Sequence, residues 1–558
     1  MKPHISEDSP EKTAEGGELD QRTLSAQEPP LYVAPGRAWM ALRRTMPPWS
    51  WEKNLEELVA FCHASRIDEV IVKVDAEDFS HGQLSVPWLE GYLPILQKIA
   101  TRLGEEGIVY SLNPWITLLH CDRGRSAHRD FPGMQTIVGH DGVETKACGC
   151  PLCPEWRQKT AHLWRLYAST APRVLWVEDD IRLFNHLPAR FGCFCPLHLE
   201  EFARRTGQAV SREELVSALL APSAPHPLRE KWLRFQGETM VETVQVITEA
   251  VHAVNPNIFL GLMSSGPDLH ALEGRDWHRL AKTLQGCAPL LVSRPPLGIY
   301  AEFSLRGFYY GAASIRKTRK ALPPGCVELT EVESFPFSSF GKSVAVTFLQ
   351  LAASCALGCD GVTMNLFDHL GNPIADTPEY GGMLDRERRF LDALASRSSN
   401  GAPFAGVGLL QNEDASIHRH LPPGADYDAL ADDGSSWAFL LEALGIAVTW
   451  NLEEAPVMAL CGQTVRALPA SEIERLLGGG ILCDLAAAQA LIDLGYGPQL
   501  GATISKSGLT HEFGPLAAEE LCDVRFGGTP DRYLTATLPD LMSDMPLGIL
   551  DCDPRAVV

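Results

Sequence analysis

The sequence predicts an α/β protein: a (β/α)8 TIM barrel followed by a smaller α/β domain of flavodoxin type. Three observations carry this. Short β-type runs alternate with longer stretches whose apolar residues recur at helical spacing, an alternation that implies a parallel sheet. Eight such units fit between residues 31 and 400, the number a closed barrel takes. After "ALASRSSNGAPF" the same alternation restarts and defines a second domain over residues 401–558.

In order, the predicted strands are "AWMAL" (38–42), "EVIVKVD" (69–75), "VYSLNPW" (109–115) and "VLWVED" (174–179). They continue with "IFLGLMS" (258–264), "PLLVSRP" (289–295), "CVELTEV" (326–332) and "GVTMNLF" (361–367). Between them lie helical patterns such as "WEKNLEELVAFCHASR" and "YLPILQKIATRLGEEG". The second domain opens on a strand in "AGVGLL" and continues through "WAFLLEALGIAVTW" and "LLGGGILCDLAAAQALIDLGYG". The glycines of "LLGGGILCD" make a tight turn before a strand, not a phosphate loop, because no Gly-Lys-Ser/Thr follows. Cys483 there reads as a core or surface thiol. The stretch beyond about residue 505 is weakly patterned.

The bulk numbers agree. A chain of 558 residues that is 45% hydrophobic is expected to hold more than one domain with a real core. A formal net charge of -22 argues against nucleic acid and anionic membrane surfaces as partners. Residues 1–30 are polar and rich in charge, Pro and Gly, and read as a disordered tail without a signal peptide. No apolar run is long enough to cross a bilayer. Fifteen cysteines without an export signal read as reduced thiols or metal ligands, which implies a cytoplasmic protein.

The chemistry concentrates at strand ends, where a TIM barrel carries its active site. The fourth strand ends in "VLWVEDDIR", with Glu178, Asp179 and Asp180 consecutive. By alternation Glu178 and Asp180 share a face and Asp179 points the other way. The seventh ends in "ELTEVESFPF", with Glu331 and Glu333 on one face. Two carboxyls facing each other across a barrel mouth suit glycoside hydrolysis, one as acid and one as nucleophile or base. Singly, such acids cap helices or pair with an arginine such as Arg182. Asp-rich strand ends also hold Mg²⁺ or Mn²⁺.

Asn113 and Trp115 end the third strand and could hold a hydroxyl and stack on a sugar face. Arg43 follows from the first strand. Asp179 and Asp368 complete the candidate substrate contacts. Asn185, His186, His369, Asp75 and Glu77 fall on strand-following segments and read as structural or surface residues.

Cysteines cluster twice around the fourth strand. "ACGCPLCPEW" holds Cys148, Cys150 and Cys153, and "FGCFCPLHLEEF" holds Cys193, Cys195 and His198. Soft ligands at this spacing suit a closed, structural tetrahedral zinc site. The expected ligands are Cys150, Cys193, Cys195 and His198, with Cys148 and Cys153 competing for the first place.

Together these features resemble family 42 glycoside hydrolases, the bacterial β-galactosidases. "CPLCPEWRQK" is similar to the family's segment with the earlier zinc cysteine, matching Cys150. "CFCPLHLEEF" resembles its C-x-C-x-x-C stretch, with His198 where the last cysteine stands. "ELTE" is similar to the nucleophile segment and points to Glu331, with Glu333 as the alternative. "LQLAASCALGCDGVTMNLF" resembles its seventh helix and eighth strand. "GGGILCDLAAAQALIDLGYGPQLG" is similar to its second domain, which has a glutamine amidotransferase fold without that chemistry and forms trimers.

Two departures stand out. The family's Asn-Glu pair is replaced by "EDD" followed by Ile181, and the eighth strand ends in "NLFDH" where the family usually has tryptophan. Asp180, or else Glu178, then takes the acid/base role in a retaining mechanism, within a separate but related family of β-glycosidases. The alternatives are a non-catalytic carbohydrate-binding or assembly protein and a metal-dependent hydrolase or lyase.

Overall fold

A computed structural model describes residues 36–74, 82–335, 341–398, 404–509 (apart from 433, 435 and 454) and 547–552. The predicted tail, Asp75, Glu77 and most of the stretch after residue 509 lie outside these residues.

Each of the eight predicted strands enters one closed parallel barrel. They are β1 (Trp39–Thr45), β2 (Glu69–Val74), β3 (Val109–Pro114) and β4 (Val174–Val177), then β5 (Phe259–Met263), β6 (Val292–Arg294), β7 (Val327–Glu333) and β8 (Gly361–Asn365). Each pairs with its sequence neighbours, and β8 closes on β1 with Trp39 opposite Gly361.

Side-chain alternation divides the core in two. Ala41, Ile71, Val174, Trp176, Phe259, Met263, Val292 and Leu329 fill the lumen. Their neighbours Met40, Leu42, Val70, Val72, Leu175, Val177, Leu260, Leu262, Val362 and Met364 pack outward against the helices. Trp176 is fully buried, and it fits because the residue opposite it on β5 is Gly261. A Cβ on Gly261 would come within 2.4 Å of the Trp176 ring.

The helices follow their sequence logic. In Trp51–Ser65, Leu55, Leu58, Val59 and Cys62 make the buried stripe. The helix ends at Arg66, whose left-handed φ of 54° lets its N–H return to the last turn. No helix among the described residues is long and apolar enough to cross a membrane.

Two hairpins decorate the mouth around β4: Thr136–Val138 with Glu144–Gly149, and Phe184–His186 with Ala189–Phe191. They are stitched together by His140 N–H to Phe191 O (2.8 Å) and Phe194 N–H to Val138 O (2.7 Å).

The second unit holds a four-stranded parallel sheet of β9 (Val407–Leu409), β10 (Val448–Thr449), β11 (Val457–Leu460) and β12 (Gly480–Cys483), in the order β10-β9-β11-β12. It packs on the barrel helix Phe308–Ala321, where Ala313 joins the cluster of Leu409, Trp437, Leu441 and Trp450. A second contact buries Tyr427 against Phe191 and Phe194.

Candidate active site

The lumen is apolar in its middle and changes to charge at the C-terminal end. Continuing the inward positions of each strand gives Arg43 on β1, Lys73 on β2, Asn113 on β3, Arg294 on β6, Glu331 and Glu333 on β7, and Asn365 on β8. Register supports this layer: Lys73 lies opposite Asn113, and Glu333 opposite Asn365. Glu178 follows β4 directly and joins them.

Two arginines link the three glutamates. Arg43 Nη2 donates to Glu178 (3.0 Å), and its Nη1 lies 3.5 Å from Glu333. Arg294 Nη2 lies 3.6 Å from the other Glu178 oxygen, and its Nη1 pairs with Glu331. One guanidinium therefore stands between a fourth-strand and a seventh-strand carboxyl. Asn113 donates to Glu178 (3.0 Å) and accepts from Arg43 (2.8 Å). Tyr300 OH donates to Glu331 (3.1 Å). Asn365 donates to Glu333 (3.0 Å) and accepts from Lys73 (2.6 Å). Lys342 ties the Glu333 carbonyl (2.6 Å).

These surroundings separate the proton affinities. Burial pushes Glu331 up to about 7; Arg294 opposes this, and the like charges of Glu333 and Asp179 reinforce it. Asp179 is held well below the usual carboxylate range: burial works against its charge, but Arg182, His120 and Arg294 outweigh it. The Glu331 charge, with burial, raises the Tyr300 phenol well above its usual range, so it keeps the proton it donates. Burial lowers Lys73, and the neighbouring Arg43 adds to the effect.

Trp115 forms one wall of the mouth. Arg43 lies over its ring at 5.0 Å and Lys73 at 5.5 Å, and the His369 ring packs at 4.7 Å.

The three consecutive acids do not divide as alternation predicts. The β4 ladder stops at Val177, and Asp179 and Asp180 lie in a turn. Asp180 swings beneath the loop after β3 and is fully buried. Its carboxyl accepts the amides of Thr117 (2.8 Å) and Leu119 (2.7 Å) and the Thr117 hydroxyl. Burial pushes it up to about 6. This is a loop anchor, so the expectation of Asp180 at the barrel mouth is corrected. Asp179, expected on the far face, sits at the mouth instead, 2.8 Å from His120 Nε2 and 3.0 Å from Arg182. Asp368 also falls outside the cluster. Its carboxylate accepts the amides of Leu370 (2.7 Å) and Asn372 (3.3 Å) and organises its own turn. His186 is structural, with its ring nitrogens on the carbonyls of Leu119 (2.7 Å) and Arg182 (2.6 Å).

Sequence reasoning missed Lys73, His120, Arg294, Tyr300, Lys342 and Asn365. Lys73, Arg294 and Asn365 were findable, since each is the polar, inward member of a strand's last residues. Tyr300, Lys342 and His120 carry no such local signal.

The hairpins deliver the cysteine cluster. The ligand atoms of Cys150, Cys193, Cys195 and His198 all lie within 4.8 Å of one another, and all four residues are buried. Cys150 Sγ is 3.6 Å from Cys195 Sγ and 3.4 Å from His198 Nδ1. Contacts with Cys150 and Cys193, and with His198, hold the Cys195 thiol well below its usual range, whereas burial raises the other two. Cys148 and Cys153 turn elsewhere: Cys153 Sγ accepts the Gln135 amide (3.3 Å), and Cys148 faces Asp122 (3.9 Å). Three thiols and one imidazole at this separation fit a closed tetrahedral site. His120, Glu178 and Asp179 also converge within 4.8 Å, but Arg43 and Arg182 already sit on those carboxylates, where a cation would be repelled.

No family model and no curated protein matches the chain. Solved structures do. A β-galactosidase from Rahnella sp. R3 superposes with a TM-score of 0.62 at 14% identity, covering 94% of this chain and 83% of that one. One from Bacillus circulans sp. alkalophilus gives 0.61 at 13%, with 94% and 82% covered. A GH42 β-galactosidase from G. stearothermophilus gives 0.57 at 12%, with 94% and 82% covered. The chain shares the fold of these enzymes.

Proposed function

We propose that the chain is a glycoside hydrolase that cleaves a β-glycosidic bond with retention of configuration. The observation that carries this reading is Arg294, whose two amino nitrogens meet Glu331 of β7 and Glu178 at the end of β4. Carboxyls from these two strands thus share one guanidinium, which supports a paired-carboxyl mechanism. Glu331 is the nucleophile, with Glu333 the alternative, and the fourth-strand side supplies the proton to the leaving oxygen. Trp115 stacks on the sugar, while Arg43 and Asn113 orient its hydroxyls. The enzymes sharing the fold are β-galactosidases, which supports a glycoside or oligosaccharide substrate.

The cysteine cluster holds zinc in a structural role, tying the two hairpins together beside β4. The four-stranded parallel sheet supports an amidotransferase-like second domain that assembles trimers. Sedimentation at three times the chain mass tests that expectation.

The deciding experiment is hydrolysis of a panel of aryl β- and α-glycosides by wild type, Glu331→Ala, Glu333→Ala and Glu178→Ala. One β-glycoside is cleaved, and Glu331→Ala is folded but inactive until azide restores turnover as an α-glycosyl azide. Sugar binding by calorimetry without cleavage of any glycoside would favour a carbohydrate-binding protein instead. The altered "EDD" stretch is what keeps that second reading alive.

A further inference from the structure

A second chemical constellation lies at the other end of the barrel. Among the cysteines whose side chains are described, Cys287 alone is exposed. It stands in the turn between the helix Trp277–Gln285 and β6, on the N-terminal face away from the mouth. Its Sγ is 3.3 Å from Nδ1 of His252, with the Pro256 carbonyl a longer contact at 3.8 Å.

The imidazole is held in the orientation a base needs. His252 Nε2 lies 3.2 Å from the carbonyl oxygen of Ile258. A carbonyl only accepts, so Nε2 carries the hydrogen and the Nδ1 lone pair faces the thiol. The ring also rests on the turn itself. Gly286 has φ 57°, and a Cβ there would come within 2.6 Å of both Cε1 and Nδ1 of His252. Only glycine lets the turn bend this way and leaves room for the ring beside the thiol. His252 is besides the last residue of the helix Pro227–His252, where the helix dipole favours the imidazolium form. A nucleophile, a base within hydrogen-bond reach and a third group that orients the base are the parts that activate a thiol.

We infer that Cys287 is an activated thiol, with His252 as its base, and a site of oxidation by hydrogen peroxide. The inference does not rest on the glycosidase reading. His252 Nδ1 takes the thiol proton, and the sulfur attacks one oxygen of the peroxide. The S–O bond forms as the O–O bond breaks, and the departing hydroxide takes the proton back from Nδ1 as water. The sulfur is oxidised by two electrons to a sulfenic acid, and the peroxide is reduced. Exposure lets the oxidant reach the thiol, and the paired imidazole supplies thiolate character, the two properties that select a cysteine for this chemistry.

The test uses the full-length chain with limiting hydrogen peroxide and a dimedone-type trap for sulfenic acid, followed by peptide mapping. Iodoacetamide alkylation of the same peptides gives the thiol's rate. Wild type should be trapped first at Cys287, ahead of the half-buried Cys121, Cys326 and Cys483. A free thiol is only a few per cent thiolate at neutral pH, so native Cys287 should alkylate about tenfold faster than the same cysteine in denatured chain. His252→Gln keeps a hydrogen-bonding side chain but no base, and should lose that excess, while Cys287→Ser should abolish the trapped peptide. The native-against-denatured comparison is made on wild type and stands whether or not His252→Gln folds. Equal rates in native and denatured wild type, another cysteine trapped first, or a folded His252→Gln as fast as wild type would overturn the assignment.

Discussion

Glu331 sits among groups that pull its proton affinity both ways. Burial and the charges of Glu333 and Asp179 raise it to about 7, and Arg294 restrains it. Below that pH the carboxyl carries its proton, so if Glu331 is the nucleophile proposed above, kcat/KM should climb as pH rises through about 7. Replacing Arg294 by Met removes the restraint. The acidic limb should then move to higher pH, measured by a pH–rate profile on an activated glycoside. The same change strips Glu178 and Glu331 of a shared buried partner, and breaking a buried pair costs about 3–5 kcal/mol. Denaturant unfolding at pH 7 should register that loss.

At the scale of elements, strand register dictates what the lumen can hold. Trp176 on β4 fills the space left by Gly261 on β5. Gly261→Ala would force the ring and the new methyl apart, an overpacking cost of about 1–3 kcal/mol. The drop in melting temperature should be smaller in a Trp176→Leu background, because the two positions share one volume. The hairpins around β4 obey a different constraint. They are short, and their ends meet at Cys150, Cys193, Cys195 and His198. Prolonged treatment with a chelator should remove one metal ion per chain, measured by elemental analysis. Hydrogen exchange should then rise over 136–150 and 184–198 while the barrel strands stay protected.

At the scale of the whole molecule, the second unit is bolted to the barrel at two places. One is the packing of Trp437, Leu441 and Trp450 on Ala313, with Arg316 donating to Val448 O (3.3 Å). The other is Tyr427, buried against Phe191 and Phe194 beside Cys193 and Cys195. The cysteine cluster thus lies between the mouth and the second unit. Loosening it is expected to weaken interdomain packing as well as the mouth, read as earlier unfolding of the second unit in limited proteolysis of chelator-treated protein.

The barrel was legible because its signals are local. A β-type run, a turn and a helical stripe each declare themselves within a few residues, and repetition does the rest. The acids at the ends of β4 and β7 and the two cysteine clusters were legible for the same reason: position along a strand and spacing along a chain are properties of sequence. What alternation could not tell is where a strand's ladder stops. β4 ends at Val177, so the loop at Thr117 and Leu119, 63 and 61 residues away in the chain, captures Asp180 and leaves Asp179 at the mouth. The meeting of Arg43, Arg294, Glu178 and Glu331 and the pairing of His120 with Asp179 are likewise contacts between distant segments. Sequence by itself determined that acids end β4 and β7 and that cysteines flank β4. Only the tertiary structure decided which of those groups face one another, because charge, burial and hydrogen bonding act through space and not along the chain.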